Sequence, residues 1–106
     1  MVRIPTDRAP THPGVIILHE FLEPLGMTQY DAADKLGISR VRLNQIINAH
    51  RGVTPDTALR LERLFGLQAQ TWLNLQLAWD LYAAIHSDAS RDIAKIRRLP
   101  QLRATA

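Results

Sequence analysis

Residues 28–48 read TQYDAADKLGISRVRLNQIIN, and the fold follows from how this stretch divides. Thr28 suits an N-cap and Asp31, three positions on, partly imitates a capping box, so a helix opens there and runs to Leu36 before Gly37. Ser39 caps the next helix, which carries Leu43, Ile46 and Ile47 on one side and Arg40, Asn44, Gln45 and Asn48 largely on the other. Two short helices joined by a turn that contains glycine form a helix-turn-helix. In that unit Ala33 is small because the helices cross closely, Gly37 gives the tight turn its backbone conformation, and Leu43 and Ile46 anchor the second helix to the core.

The outer face of the second helix is then free to read DNA. Arg40, Val41, Asn44, Gln45 and Asn48 recur at spacings of one, four, five and eight, which puts them on a groove-facing surface. Arginine can bond guanine through two hydrogen bonds, asparagine and glutamine can do so with adenine, and a valine can meet a thymine methyl group. Arg40, Val41, Asn44 and Gln45 are therefore the candidate base readers. Thr28, Gln29, Ser39, Arg42, Asn48 and Arg51 are candidate contacts to the phosphate backbone, through side chains and helix N-terminal amides.

Outward from this unit the chain reads as helical throughout. Pro5, Pro10 and Pro13 make residues 1–12 extended, and Pro13 also suits a first helical turn. Val15, Ile16, Leu18, Phe21, Leu22 and Leu25 then mark a first helix, interrupted by Pro24 and closed by Gly26. After Arg51 and Gly52, Thr54-Pro55-Asp56 opens a fourth helix with Ala58, Leu61, Leu64 and Phe65 on its buried side, ended by Gly66. A fifth runs from about Ala69 to His86 and has too many large apolar residues for one narrow stripe. Residues 87–106 form a basic tail with Arg91, Lys95, Arg97, Arg98 and Arg103 around Ile93, Ile96 and Leu99, and Pro100 ends any helix there. The expectation is an all-α fold of about five helices in residues 13–86, with a poorly ordered C-terminal extension.

Composition limits what else the chain can do. Its 106 residues, 46% hydrophobic, allow one modest core and leave much surface in water, a situation often relieved by self-association. Thirteen Lys and Arg against ten Asp and Glu give a net charge of +3, so charge position matters more than charge total. Absence of cysteine removes disulfides and thiolate chemistry. The histidines at 12, 19, 50 and 86 are scattered without metal-ligand spacing, no set of acid, base and nucleophile is recognisable, and no apolar run is long enough for a membrane span. A non-enzymatic, cofactor-free, cytoplasmic protein associated with the nucleoid is expected.

Three further stretches extend the reading. HPGVIILHEFLEPLGMTQ at 12–29, LNQIINAHRGVTPDTALRLERLFG at 43–66 and WLNLQLAWDL at 72–81 together resemble the HigA-type antitoxins, the VapI/HigA group of the lambda-repressor-like, XRE-type helix-turn-helix family. The resemblance covers His12 to about Ile85. It departs at Val41, an added apolar residue among the readers, and at His50, where a basic residue is common. The resemblance implies a homodimer that represses its own operon and neutralises a HigB-type, RelE-like mRNA-cleaving toxin. A stand-alone repressor of the same fold is the alternative, and a purely protein-binding helical module is a third.

Partner surfaces are less defined. Trp72, Leu75, Trp79 and Tyr82 of the fifth helix lie near one side of it and serve equally as intrachain core or as a dimer interface. A basic RNA-binding toxin would be matched by acidic residues such as Glu20, Glu23 and Asp80.

Overall fold

A computed structural model describes residues 9–102 of the chain. Pro5 and Arg103, with the outer parts of the extended start and the basic tail, lie outside the described residues. Helix α1 (13–25) is continuous but not uniform: an α-helical turn Pro13–Ile16 passes into a π-helical segment Ile17–Leu22 and returns to α-helix at Glu23–Leu25. Then follow α2 Gln29–Leu36, α3 Arg40–Ile47, α4 Pro55–Phe65, α5 Ala69–Ile85, α6 Ala89–Ala94 and a 3-10 turn Pro100–Leu102. The chain is all-α as expected, with one short helix more. That extra helix, α6, lies in the stretch read as a tail.

Pro24 explains the π segment. It has no N–H to donate, and in an α-helix its ring would press on the carbonyl of residue 20. The preceding turn is widened instead, with the Glu23 N–H reaching back five residues to the Leu18 carbonyl. Ile17 and Leu22, five apart, are consequently both buried. In an α-helix that spacing would turn one of them away from the core.

The core joins Ile17 and Leu22 of α1 with Ala32, Ala33 and Leu36 of α2, Leu43 and Ile46 of α3, Ala58 and Leu61 of α4, and Trp72 of α5. Phe21 stacks on Phe65 at 4.5 Å between ring centroids and tilts against Trp72 at 5.8 Å. Trp72 has 0% exposure, so of its two sequence readings the intrachain core is the one realised, and it offers nothing to a second copy. Gly14 sets where α1 meets α3. A Cβ there would sit 2.1 Å from the Ile46 carbonyl oxygen and 2.7 Å from the Ile47 Cα, so only glycine allows the first turn of α1 to lie on the end of α3. His12 caps that turn: its Nδ1 accepts from the Gly14 N–H at 2.9 Å, and its buried ring meets the Trp79 ring edge-on at 5.0 Å. Burial holds the His12 pKa below its ordinary value, partly opposed by the negative charge of Asp80. None of the helices among the described residues is long and apolar enough to cross a membrane.

Candidate nucleic-acid interface

α2 and α3 are capped from their own sequence. Thr28 Oγ1 accepts from the Asp31 N–H and Ser39 Oγ from the Arg42 N–H, each at 3.0 Å. Between them Gly37 takes a left-handed conformation at φ 73° and its N–H closes on the Ala33 and Asp34 carbonyls. Ala33, Leu43 and Ile46 are buried. The turn is also held from outside, because Arg60 of α4 donates from Nη1 to the Leu36 carbonyl at 2.9 Å.

The outward side of α3 is a set of paired polar groups. Asn44 Nδ2 donates to Gln29 Oε1 at 3.1 Å, tying α3 to the first residue of α2. Asn48 Nδ2 donates to the Asn44 carbonyl and side-chain oxygens at 3.0 and 3.2 Å. Arg51 Nε donates to Gln45 Oε1 at 2.9 Å. The Arg40 guanidinium carbon stands 4.3 Å above the centre of the Tyr30 ring, and Val41 is 67% exposed beside it. Gln29, Tyr30, Arg40, Val41 and Asn44 thus line one open recess of about 510 Å³, with Gln45 and Arg51 as an adjacent pair. Three of the four expected base readers, Arg40, Val41 and Asn44, share the recess with Gln29.

Arg42 is placed differently from the expectation. Its guanidinium donates to the buried Thr57 Oγ1 and lies 3.6 Å from Asp56 Oδ2, so it braces α3 on the first turn of α4 instead of standing free for a phosphate. Arg60 Nε donates to the same Asp56 oxygen at 2.9 Å. The hydrogen bond from Arg60, with the charges of Arg60 and Arg42, holds the Asp56 carboxyl below its ordinary range against the opposing effect of desolvation.

Two residues that position the face escape a reading of the sequence. Tyr30 is ten places from Arg40, and no spacing rule joins residues on separate helices. Gln76 is buried in α5, where its Oε1 accepts from the Val53 N–H at 2.8 Å and its Nε2 donates to Asp80 Oδ1 at 2.9 Å. It fixes the loop that follows α3. The one available signal was an amide in the middle of the apolar run WLNLQLAWDL.

The remaining interface candidates of α5 also have partners within the chain. Leu75 packs against the core, Trp79 meets His12, and Tyr82, half-buried, stacks on His86 with ring centroids 4.1 Å apart. The apolar residues that α5 presents outward are Leu77, Leu81 and Ile85, at i, i+4 and i+8, with exposures of 49%, 36% and 46%. Leu81, Ala84 and Ile85 continue into a groove of about 360 Å³ shared with Ser90, Ile93 and Ala94 around α6.

Comparison with known proteins places this architecture. A helix-turn-helix family model matches residues 18–72. Virulence-associated protein I of Dichelobacter nodosus is 46% identical over 82 residues, covering 77% of this chain and 76% of that protein. The HTH-type transcriptional regulator YbaQ of Escherichia coli is 41% identical over 75 residues, covering 71% of this chain and 66% of that one. Among solved structures, the Pseudomonas aeruginosa antitoxin HigA with the higBA promoter superposes with a TM-score of 0.78 at 34% identity, covering 85% of this chain and 98% of that chain. Caps, turn and inner anchors therefore agree with kinship over most of the chain, which belongs to the XRE-type helix-turn-helix family, in its VapI/HigA group.

Proposed function

We propose that the chain is an antitoxin and repressor that binds operator DNA through the outward face of α3 as a homodimer and neutralises a HigB-type, RelE-like toxin. The observation that carries the DNA half is the paired polar face itself: donors and acceptors of Arg40, Asn44 and Gln45 converge on one side of a capped, anchored helix, with Val41 between them. Such a face matches base edges in the major groove. Gln29, Asn48 and Arg51 flank it and, with Thr28 and Ser39 at the helix starts, set its register on the phosphates. Arg42 is left out of that set and acts through α4.

The toxin half is supported by kinship with a HigA antitoxin whose structure includes its promoter. Homodimerisation is supported by the apolar ridge Leu77, Leu81 and Ile85, since operator readers of this type need two heads a DNA turn apart. Its site of action would be the cytoplasm, on the nucleoid. The relation to YbaQ, named only as a transcriptional regulator, favours the alternative of a repressor with no toxin partner.

Binding isotherms on operator DNA and on its single-base variants test the DNA half. Arg40→Ala or Gln45→Ala should weaken operator binding by about 1–3 kcal/mol and relax preference at one base pair each. Arg51→Ala should weaken all sequences evenly and lower the salt slope by about one unit. Unchanged binding by all three variants would remove the assignment. Co-expression with the product of any small basic reading frame adjoining the gene separates the two readings: rescue of growth and co-purification support the antitoxin, and neither occurring leaves the stand-alone repressor.

A further inference from the structure

Four arginines lie in or against the helix-turn-helix of α2 and α3, and they differ in what holds them. Arg42 is bonded to Thr57 and faces Asp56, Arg60 is bonded to Asp56 and to the Leu36 carbonyl, and Arg51 donates its Nε to Gln45. The Arg40 side chain alone among these four has no hydrogen bond among the described residues. It is held by the face of the Tyr30 ring, 4.3 Å from the guanidinium carbon. A cation over a ring is attracted through the ring's quadrupole, and this contact occupies none of the five N–H donors of the guanidinium.

Resting on the operator-reading proposed above, we infer that Tyr30 determines specificity by positioning Arg40: its ring restrains a long, rotamer-rich side chain in one attitude while leaving the whole N–H fork open to a base. Tyr30 and Arg40 are both exposed, at the second residue of α2 and the first of α3, so neither is needed by the core. They share the recess with Val41 and Asn44, which puts the restrained fork beside the other readers. An acidic partner would hold Arg40 equally well but would consume its donors and repel the phosphates. An aromatic ring does neither. Less ordering is then required when Arg40 meets its base, and the gain appears as discrimination at that base pair.

The test uses the full chain and an operator selected from random duplexes by the purified protein, with affinities measured for every single-base substitution. Arg40→Ala identifies the base pair that Arg40 reads. Tyr30→Ala should reduce discrimination at that same base pair about two- to fivefold, the effect of an exposed cation–π contact, with a smaller change elsewhere. Tyr30→Phe should retain the wild-type profile, and Tyr30→Ala added to Arg40→Ala should change nothing further at that position. Thermal melting of each variant should match the wild type.

An even loss across all substituted operators, in Tyr30→Ala and Tyr30→Phe alike, would make Tyr30 a phosphate contact and overturn the inference. So would an unchanged preference at the Arg40 base pair in Tyr30→Ala. If Arg40→Ala relaxes no base pair, base reading by Arg40 fails first and the role of Tyr30 falls with it.

Discussion

The unit of α2, α3 and α4 and the pair α5 and α6 are built on different principles. In the first, each helix carries its own start signal: Thr28, Ser39 and Thr54 each accept a hydrogen bond from the amide of the third residue of the helix. In the second, neither Gln68 nor Asp88 provides a side-chain cap. The start of α5 is satisfied from another helix, by Glu62 Oε1 of α4 accepting from the Ala69 N–H at 2.7 Å. The first unit also turns polar groups outward in pairs, whereas the second turns out Leu77, Leu81, Ile85 and Ile93. One surface is shaped for a polar, charged ligand, and the other keeps the character of an interior.

The largest expected effect lies where the two regions meet. Trp72→Ala should cost about 3–5 kcal/mol in chemical denaturation, because it empties the contact of α5 with Phe21 and the core. Trp72→Phe should cost well under half of that. The buried Trp72 Nε1 has no hydrogen-bond partner among the described residues, so the indole contributes volume and no polar bond, and a full-sized loss in the Phe variant would contradict this.

Next in size, Leu81→Glu with Ile85→Glu should weaken the proposed self-association at least tenfold, about 1.4 kcal/mol or more, in sedimentation equilibrium, with the helical content of the protomer retained. Persisting dimers would move the subunit interface off this ridge. The complementary change on the other surface, Arg40→Ala, should leave self-association intact, which keeps the two regions experimentally separate.

The smallest effect concerns pH. Above about pH 6.5 His12 is neutral folded and unfolded and contributes no slope. As pH falls below that, the unfolded chain takes up a proton that the buried, Gly14-bonded imidazole resists, so stability declines on acidification toward the lower folded pKa. His12→Asn, which keeps an N-cap acceptor, should flatten that part of the stability profile measured between about pH 5 and 7. An unaltered slope would mean that another group governs this range.

The same contrast explains what the sequence made legible. Thr28, Ser39, Thr54 and Gly37 act on their own neighbours, so their roles could be read in place. The division of α3 into Leu43 and Ile46 inside and Arg40, Val41 and Asn44 outside needs only the helical repeat. The engagement of Arg42 was not legible, because its partners, Asp56 and Thr57, belong to the next helix, and a single helix gives no sign that a half-exposed arginine is already engaged. Trp72, Leu75, Trp79 and Tyr82 follow the helical repeat well enough, but α5 is apolar on more than one side, and periodicity cannot say which side the core takes. Gly14 reads as an ordinary helix start until the Ile46 carbonyl is seen beside it.

The π turn of α1 carries one residue more than an α-helix would need for the same stretch. Removing any one residue between Ile17 and Leu22 would turn the parts on either side by about 100° relative to one another. Gly14 would rotate away from the end of α3, and His12 from Trp79. The length of this turn is therefore a gauge: it sets the angular offset between the start of the domain and α3, independently of which apolar residues fill it.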